Sequence, residues 1–450
     1  MGRRAVYMYG ESLPKSPAGQ INCGLGMTLS SGTPGLSAPT VVITANSTVT
    51  IDGVEVRFQL TPNTEAPAEM NMYFPQYRAL CMAENAVHTM HNIQTLRGAL
   101  VRDALAWSKY VDQTIVLFGQ EAEVVFASHH WPTWGQAELN TFLAKQRDLY
   151  AYLHNETLRQ MNDGRTGMEI AEDFVLPTAL QQTWSCRGYY GSVSHNVKAI
   201  YHRYMGWFDG NPAHLWEHPP VEAAKRYVDS VGGMEQMIAL GQQYSDAGDL
   251  RFAATLLGHA VFADQDNRRA REALGAVYTQ LGYAAENGTW RGFYLTGARE
   301  LENASQPSQI AGDIATLLAM SLEQLFDSVA VRIDGPRAWD ERFTIDWMVR
   351  EMGVPTETHG WHLNLSNGAL TGHRMAYVAP GTGGTSATLT VWLRHVQLAE
   401  LIVGERKALE GLETRGDVGV WDRLQALITT ADGSFAIVTP EKLVAGGSQQ

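Results

Sequence analysis

Apolar and polar residues alternate through positions 40–60 with the period of two that a half-buried strand requires. TVVITAN, STVTIDG and VEVRFQL each read as a β run, and Asp52-Gly53 is the dipeptide that a tight hairpin turn selects. MNMYFP and RALCMAE read as two more strands, the second apolar enough to be buried on both faces. From Gln94 to Phe118 the period changes, and Leu96, Leu100, Ala104, Tyr110, Ile115 and Leu117 predict a helix. EVVFAS predicts a closing strand, so a series of hairpins leads into a β-α-β unit.

Helical spacing dominates from Trp134 to Asn303. AELNTFLAKQRDLYAYLHNETLRQMNDG sets Leu139, Phe142, Leu143, Leu149 and Leu153 on one face, and TGMEIAEDF predicts a second helix. Between Val221 and Glu286 further helices follow, separated by GG and DNR breaks. AGDLRFAATLLGHAVFADQDNRRAREALGAVYTQLGYAAEN has the form of a tetratricopeptide-type hairpin, but one copy does not make a solenoid. Over 310–440 a helix (AGDIATLLAMSLEQLF) precedes the strands SVAVRI, RFTIDWMV, WHLNLS, HRMAYVA and ATLTVWL. The helix HVQLAELIV and the segment GDVGVWDRLQALI follow. Residues 1–40 are rich in Gly, Pro and Ser and predict little regular structure. CGLGMTLSSG within them lacks a GxGxxG or GKS/GKT pattern and reads as a covering loop, not a phosphate cradle.

Composition narrows the functions. With 450 residues, 45% of them apolar and 18% charged, the chain is an ordinary globular sequence of two to four domains. A formal net charge of −13 argues against a nucleic-acid partner and against docking on anionic lipid. An anionic substrate therefore needs local positive charge. Cys23, Cys81 and Cys186 form no CxxC pair and imply no disulfide framework. MGRRAVYMYG has no apolar core of a secretory leader, and no run of 18 apolar residues predicts a transmembrane helix.

Three stretches carry candidate chemistry: TEAPAEM with Glu65, CMAENAVHTMHNIQTLRGA with Glu84, and FASHHWPTWG with His129 and His130. Each delivers a carboxylate or an imidazole to a loop just past a strand, and these are the side chains that ligate a catalytic cation. Adjacent histidines after a strand point to opposite sides, so at most one of His129 and His130 is a ligand. A helix starting after Glu84 would put His88 one turn from Glu84 and on one face with His91, the form of a helical metal site, but packing or supporting residues are the favoured reading. Arg97 and Arg102 follow, with planar donors suited to a tetrahedral oxyanion or, alternatively, to surface ion pairs. RGYYGSVSHNVKAIYHRYMGWFDGNP gathers Tyr190, His195, Asn196 and Tyr204. There His195 is a candidate general acid, or else a helix-entry residue with Asn196 as cap.

These motifs resemble the zinc-dependent alkylsulfatases of the metallo-β-lactamase superfamily, which hydrolyse alkyl sulfate esters such as dodecyl sulfate. The resemblance implies a fold of the class α/β + α + α+β. A partial metallo-β-lactamase αββα sandwich would occupy 1–137, a helical dimerisation domain 138–303, and a sterol-carrier-protein-2-like domain 304–450. It implies a two-zinc site to which this chain gives Glu65, Glu84 and His129, with His130 the adjacent alternative. Arg97, then Arg102, would hold the sulfate beside Tyr190, Asn196 and Tyr204, and His195 would supply a proton. Trp347, Trp361, Leu363, Trp392 and Leu398 would line a tunnel for an alkyl chain, or form ordinary core. The family also implies a homodimer and a periplasmic or secreted location. Its upstream HxHxDH ligand segment has no counterpart here, since no HxH occurs and the first histidine is His88. The resemblance therefore matches the C-terminal two-thirds of such an enzyme, with weak zinc binding and little turnover expected from these residues alone. A non-catalytic dimeric amphiphile-binding protein is the alternative reading. One half of a split enzyme is a third.

Overall fold

The computed structural model describes residues 2–27, 35–37, 39–302, 314–350, 357–382, 385–404, 409–430 and 433–440. These fall into two compact units, one within Met1–Ser30, Ile43–Ser308 and Ser434–Gln450, the other within Ser31–Val42 and Gln309–Gly433.

The first unit opens with helix α1 (Gly2–Tyr9), where little regular structure was expected. Tertiary contacts override the local composition. Arg3 and Tyr7 both reach the buried Glu300 carboxylate. A Cβ on Gly292 would meet Met8 O at 2.5 Å, so a glycine admits the close crossing. TVVITAN forms no strand, and Val41 and Val42 are exposed. Strands β1 (Ser47–Ile51) and β2 (Val54–Leu60) make the predicted hairpin, with Asp52 and Gly53 both at positive φ as a type I′ turn demands. With β3 (Met70–Phe74), β4 (Ala79–Cys81), β5 (Val124–Phe126) and β6 (Thr133–Trp134) they form one six-stranded sheet in sequence order. Only β4 and β5 pair in parallel, and α2 (Ala104–Phe118) makes the crossover.

The helix predicted from Gln94 begins ten residues late, because Gly98 takes φ 106° and the N-cap is Asp103, whose carboxylate accepts from Ala106 N at 2.9 Å. α2 lies on the sheet through Thr114, which meets Gln59 and Asn71, and through Phe118 stacked on Tyr73. α3 (Gln136–Asn162) packs on α2 and buries all five of its predicted apolar positions. The helices α4 (Gly167–Asp173), α5 (Thr178–Gln181) and α6 (Val193–Met205) complete this core. α7 (Pro220–Ser230), α8 (Met234–Asp246), α9 (Leu250–Ala263), α10 (Arg268–Ala284) and α11 (Gly288–Glu302) form a helical array around Met237, Leu257, Ala260 and Leu274.

In the second unit, α12 (Ile314–Leu318) and α13 (Leu322–Ala330) are separated by Ser321, whose side chain closes a capping box with Gln324. α13 takes up the first half of the predicted strand SVAVRI, and of the rest only Ile333 makes a bridge, to Ile428. β7 (Phe343–Arg350), β8 (Thr358–Ser366), β9 (Ala369–Met375), β10 (Leu389–Arg394) and β11 (Glu413–Gly416) form a sheet ordered β11-β10-β7-β8-β9. The ninth strand starts four residues before the predicted HRMAYVA, following its turn at Asn367 and Gly368. α14 (His395–Val403) and α15 (Gly419–Leu427) cover one face. Trp347, Leu363 and Leu398 are core here, with Trp361 packed against them, while Trp392 Nε1 donates to Val378 O at 2.7 Å.

Candidate metal centre

β4 and β5 run parallel, with Cys81 paired to Phe126. Three residues beyond each partner stand Glu84 and His129, so equal offsets bring both to one end of the sheet. The turns that do this are tight: Ala83 and His130 both lie at positive φ, a cost that non-glycine residues bear where the surroundings hold them. Ser128 N and its hydroxyl both donate to Ala83 O, tying the two turns together. His129 Nε2 then lies 3.0 Å from Glu84 Oε1.

The other carboxylate oxygen of Glu84 faces His91 Nε2, also at 3.0 Å. His91 sits in an irregular loop and not on a helix, so His88 points elsewhere: its ring stacks on Phe142 and Trp131 and its Nε2 meets Thr133. The loop is held from three sides. Tyr150 OH accepts from His91 N at 3.0 Å, and Asn196 donates to His91 O and accepts from Ile93 N, both at 2.9 Å. Gly191 packs where a Cβ would meet His91 O at 2.7 Å.

Glu65 arrives from the turn after β2. Arg102 clamps it, donating from Nε to Glu65 O at 2.5 Å and from Nη2 to the carboxylate, while Nη1 reaches Asn92 O at 2.9 Å. Ligand atoms of Glu65, Glu84 and His91 all lie within 4.8 Å of one another. Glu69, from the same TEAPAEM stretch, accepts from Glu84 N at 3.3 Å. Burial, and then the neighbouring Glu65, push its carboxyl up to about 7.

The electrostatics fit a cation. Burial works to raise the Glu84 pKa, but the hydrogen bonds from His129 and His91 outweigh it and hold the carboxyl well below the usual range. The same bond to Glu84 raises His129. Full burial lowers His91, favouring the neutral ring. A neutral imidazole has one N–H, yet His91 faces two acceptors, Asn92 O at 3.1 Å from Nδ1 and Glu84 Oε2 from Nε2. Whichever acceptor takes the one proton, the other faces a ring lone pair, and a cation on Nε2 would free Nδ1–H for Asn92 while meeting the Glu84 carboxylate. The same cation relieves the crowding of Glu65, Glu69 and Glu84. Two carboxylates and imidazole nitrogens are an ordinary donor set for zinc.

The remaining candidate residues take unequal places. Arg97 Nε is 3.5 Å from Tyr9 OH, Tyr9 OH is 3.3 Å from Tyr190 OH, and the Tyr190 ring meets the edge of His91 at 4.9 Å. Arg97 thus connects to the cluster through two phenols. Arg102 gives four of its five N–H groups to Glu65 and Asn92. Asn196 is a loop support buried away from solvent, and Ser192, not Asn196, caps α6. Tyr204 OH bonds His154 Nε2 at 2.7 Å, a contact that involves no cluster residue. His195 lines a cleft with Gln94, Leu96, Lys198 and Trp290. Its Nε2 meets Gln94 O at 2.6 Å, its Nδ1 accepts from Trp290 at 3.4 Å, and burial pushes it down to about 4. Sequence reasoning set His91 among the supporting residues and passed over Glu69. The signal for Glu69 was available: a second carboxylate in a seven-residue motif already holding Glu65.

A cleft of about 450 Å³ opens beside Glu65, with Ala66, Pro67, Leu100 and Val101 on its apolar walls. No helix among the described residues is long and apolar enough to cross a membrane.

Comparison with known proteins agrees with this architecture. Residues 166–304 match the alkyl sulfatase dimerisation family and residues 311–440 the alkyl sulfatase C-terminal family. A linear primary-alkylsulfatase of Pseudomonas sp. is 41% identical over 443 residues, covering 98% of this chain and 65% of the relative. An alkyl/aryl-sulfatase of Saccharomyces cerevisiae is 39% identical over 446 residues, covering 98% and 67%. The solved structure of a stereoselective inverting sec-alkylsulfatase from Pseudomonas sp. superposes with a TM-score of 0.91 at 36% identity, over 98% of this chain and 69% of that one. The chain thus spans about two thirds of the length of these relatives. By identity, coverage and shared fold, it belongs to the alkylsulfatase family.

Proposed function

We propose that this chain serves the metal-dependent hydrolysis of alkyl sulfate esters to alcohol and sulfate, with zinc as the metal. The observation that carries the proposal is the convergence of Glu65, Glu84 and His91, with His129 on the second oxygen of Glu84, within an alkylsulfatase fold. Glu65, Glu84 and His91 would hold the cation, which when bound supplies Lewis acidity and acidifies water, while His129 stands outside that group on the other oxygen of Glu84. Arg102 fixes Glu65, and Asn196, Tyr150 and Gly191 fix His91, so the donors are arranged before anything binds. Arg97 offers guanidinium donors not engaged by any described carboxylate, and grips the sulfate. His195 positions Gln94, three residues ahead of Arg97, through its bond to Gln94 O. The apolar walls beside Glu65 take the first methylenes of the alkyl chain.

The dimerisation-family match supports a homodimer formed through the helical array. A second reading, an amphiphile-binding protein without turnover, is favoured by Trp347 and Trp361, whose indole N–H groups lack partners inside the second unit. Sulfate release from dodecyl sulfate, measured with and without added zinc, separates the two. Metal-dependent release, slow but abolished by Glu84→Gln, supports the hydrolase. Binding of dodecyl sulfate by the zinc-loaded protein with no sulfate released supports the second reading and overturns the first.

A further inference from the structure

The second unit holds another set of ligating side chains, distant in sequence from those above. Asp346 on β7, His362 on β8 and His373 on β9 are successive register partners, Asp346 with His362 and His362 with His373. Directly opposed residues on adjacent strands share a face, so the three stand in a row across the sheet. Asp346 is buried at 2% exposure, and its Oδ1 takes His362 Nδ1 at 2.5 Å. A carboxylate acceptor at that distance fixes the proton on Nδ1 and leaves the Nε2 lone pair of His362 available. The ring of His373 lies 5.1 Å from that of His362, centre to centre, and His373 is exposed on the edge strand.

That separation is informative. Two imidazoles each bound through a nitrogen ~2.0 Å from one tetrahedral ion place their ring centres roughly 5 Å apart. The buried carboxylate behind the first imidazole is the arrangement that orients a metal-bound histidine and raises its basicity. We propose that His362 and His373 form a site for a divalent transition ion of the copper, nickel or zinc group, with Asp346 as the positioning residue and solvent completing the coordination. Imidazole ligands suit these ions, and affinity should follow the order Cu²⁺ above Ni²⁺ and Zn²⁺. The site is separate from the Glu65–Glu84–His91 cluster, which carries two carboxylates where this one carries none in direct contact with the ion.

The test uses the full chain and Cu²⁺ as the probe. Equilibrium dialysis gives the stoichiometry, and electron paramagnetic resonance reports the nitrogens bound to the ion. The expected result is one equivalent of Cu²⁺ with two imidazole nitrogens that persists in Glu84→Gln. That equivalent is lost in His373→Gln, a substitution at an exposed edge position that leaves the core untouched. Asp346→Asn should weaken it about 10–100-fold while keeping two nitrogens. Both variants are read in the Glu84→Gln background, where the first cluster is disabled; a two-imidazole equivalent retained unchanged in Glu84→Gln/His373→Gln overturns the proposal, as does a spectrum showing a single imidazole.

Discussion

Arg102 decides between two accounts of the site, and its removal has a calculable consequence. In Arg102→Met the side chain keeps its volume and loses its charge. The Glu65 carboxylate, 17% exposed, is then left without its cation, and Glu65 O and Asn92 O lose donors. Removing one partner of a buried ion pair costs roughly 3–5 kcal/mol. Since both side chains keep some contact with water, we expect about 3 kcal/mol, the lower end of that range. The double change Arg102→Met with Glu65→Met should recover most of the loss, because no lone charge then remains. Urea unfolding of the first unit provides the measurement. Hydrogen exchange is the appropriate probe, because two units need not unfold as one. Zinc affinity should fall together with stability. A loss below about 0.5 kcal/mol, the level of an exposed pair, would refute the clamp. So would a raised KM for alkyl sulfate with stability and zinc affinity unchanged, which would return Arg102 to the substrate.

Other expectations follow from the same geometry. Arg97→Ala should raise KM for dodecyl sulfate at least tenfold while leaving the unfolding midpoint in place, since among the described residues the Arg97 guanidinium hydrogen-bonds only Tyr9, at 3.5 Å. Leu100→Asp should penalise dodecyl sulfate more than a short alkyl sulfate, as each buried methylene is worth about 0.8 kcal/mol; equal effects on both would place the tail elsewhere. His195 has a folded pKa, about 4, below its unfolded value. The unfolded chain therefore binds the extra proton first, and stability, complete above pH ~6.5, falls as pH drops toward 4 by about 3 kcal/mol from this group. In His195→Gln that part of the slope should vanish in urea titrations at stepped pH. Gly191→Ala should displace the His91 loop and weaken zinc binding, with the fold retained by circular dichroism.

The sequence made legible whatever rests on periodicity and strong turn chemistry. The β1–β2 hairpin followed from alternation plus Asp-Gly, and the long third helix from its apolar face. Where tertiary contacts decide, pattern failed. The first helix exists because Arg3 and Tyr7 meet Glu300, 293 or more residues away. TVVITAN has the composition of a strand but gains no partner. Leu96 and Leu100 mimic a helix that Gly98 prevents. In the site, Glu65, Glu84 and His129 were visible as carboxylate and imidazole just past strands. His91 reads as a supporting residue because the resembled family takes its ligands from other positions, and only the irregular course of the loop turns its ring onto Glu84. Arg102 and Asn196 were visible as polar residues, but nothing in spacing separates a group that touches substrate from one that holds a ligand in place.

The proposed hydrolase needs the cluster at the ends of β4 and β5 to be a cation site. The direct measurement is metal content after equilibrium dialysis of the full chain against zinc, beside Glu84→Gln, each in the His373→Gln background so that the second unit contributes nothing. Zinc bound by the parent and released by Glu84→Gln is the predicted result. Equal zinc content in both proteins, or none in the parent, would contradict it.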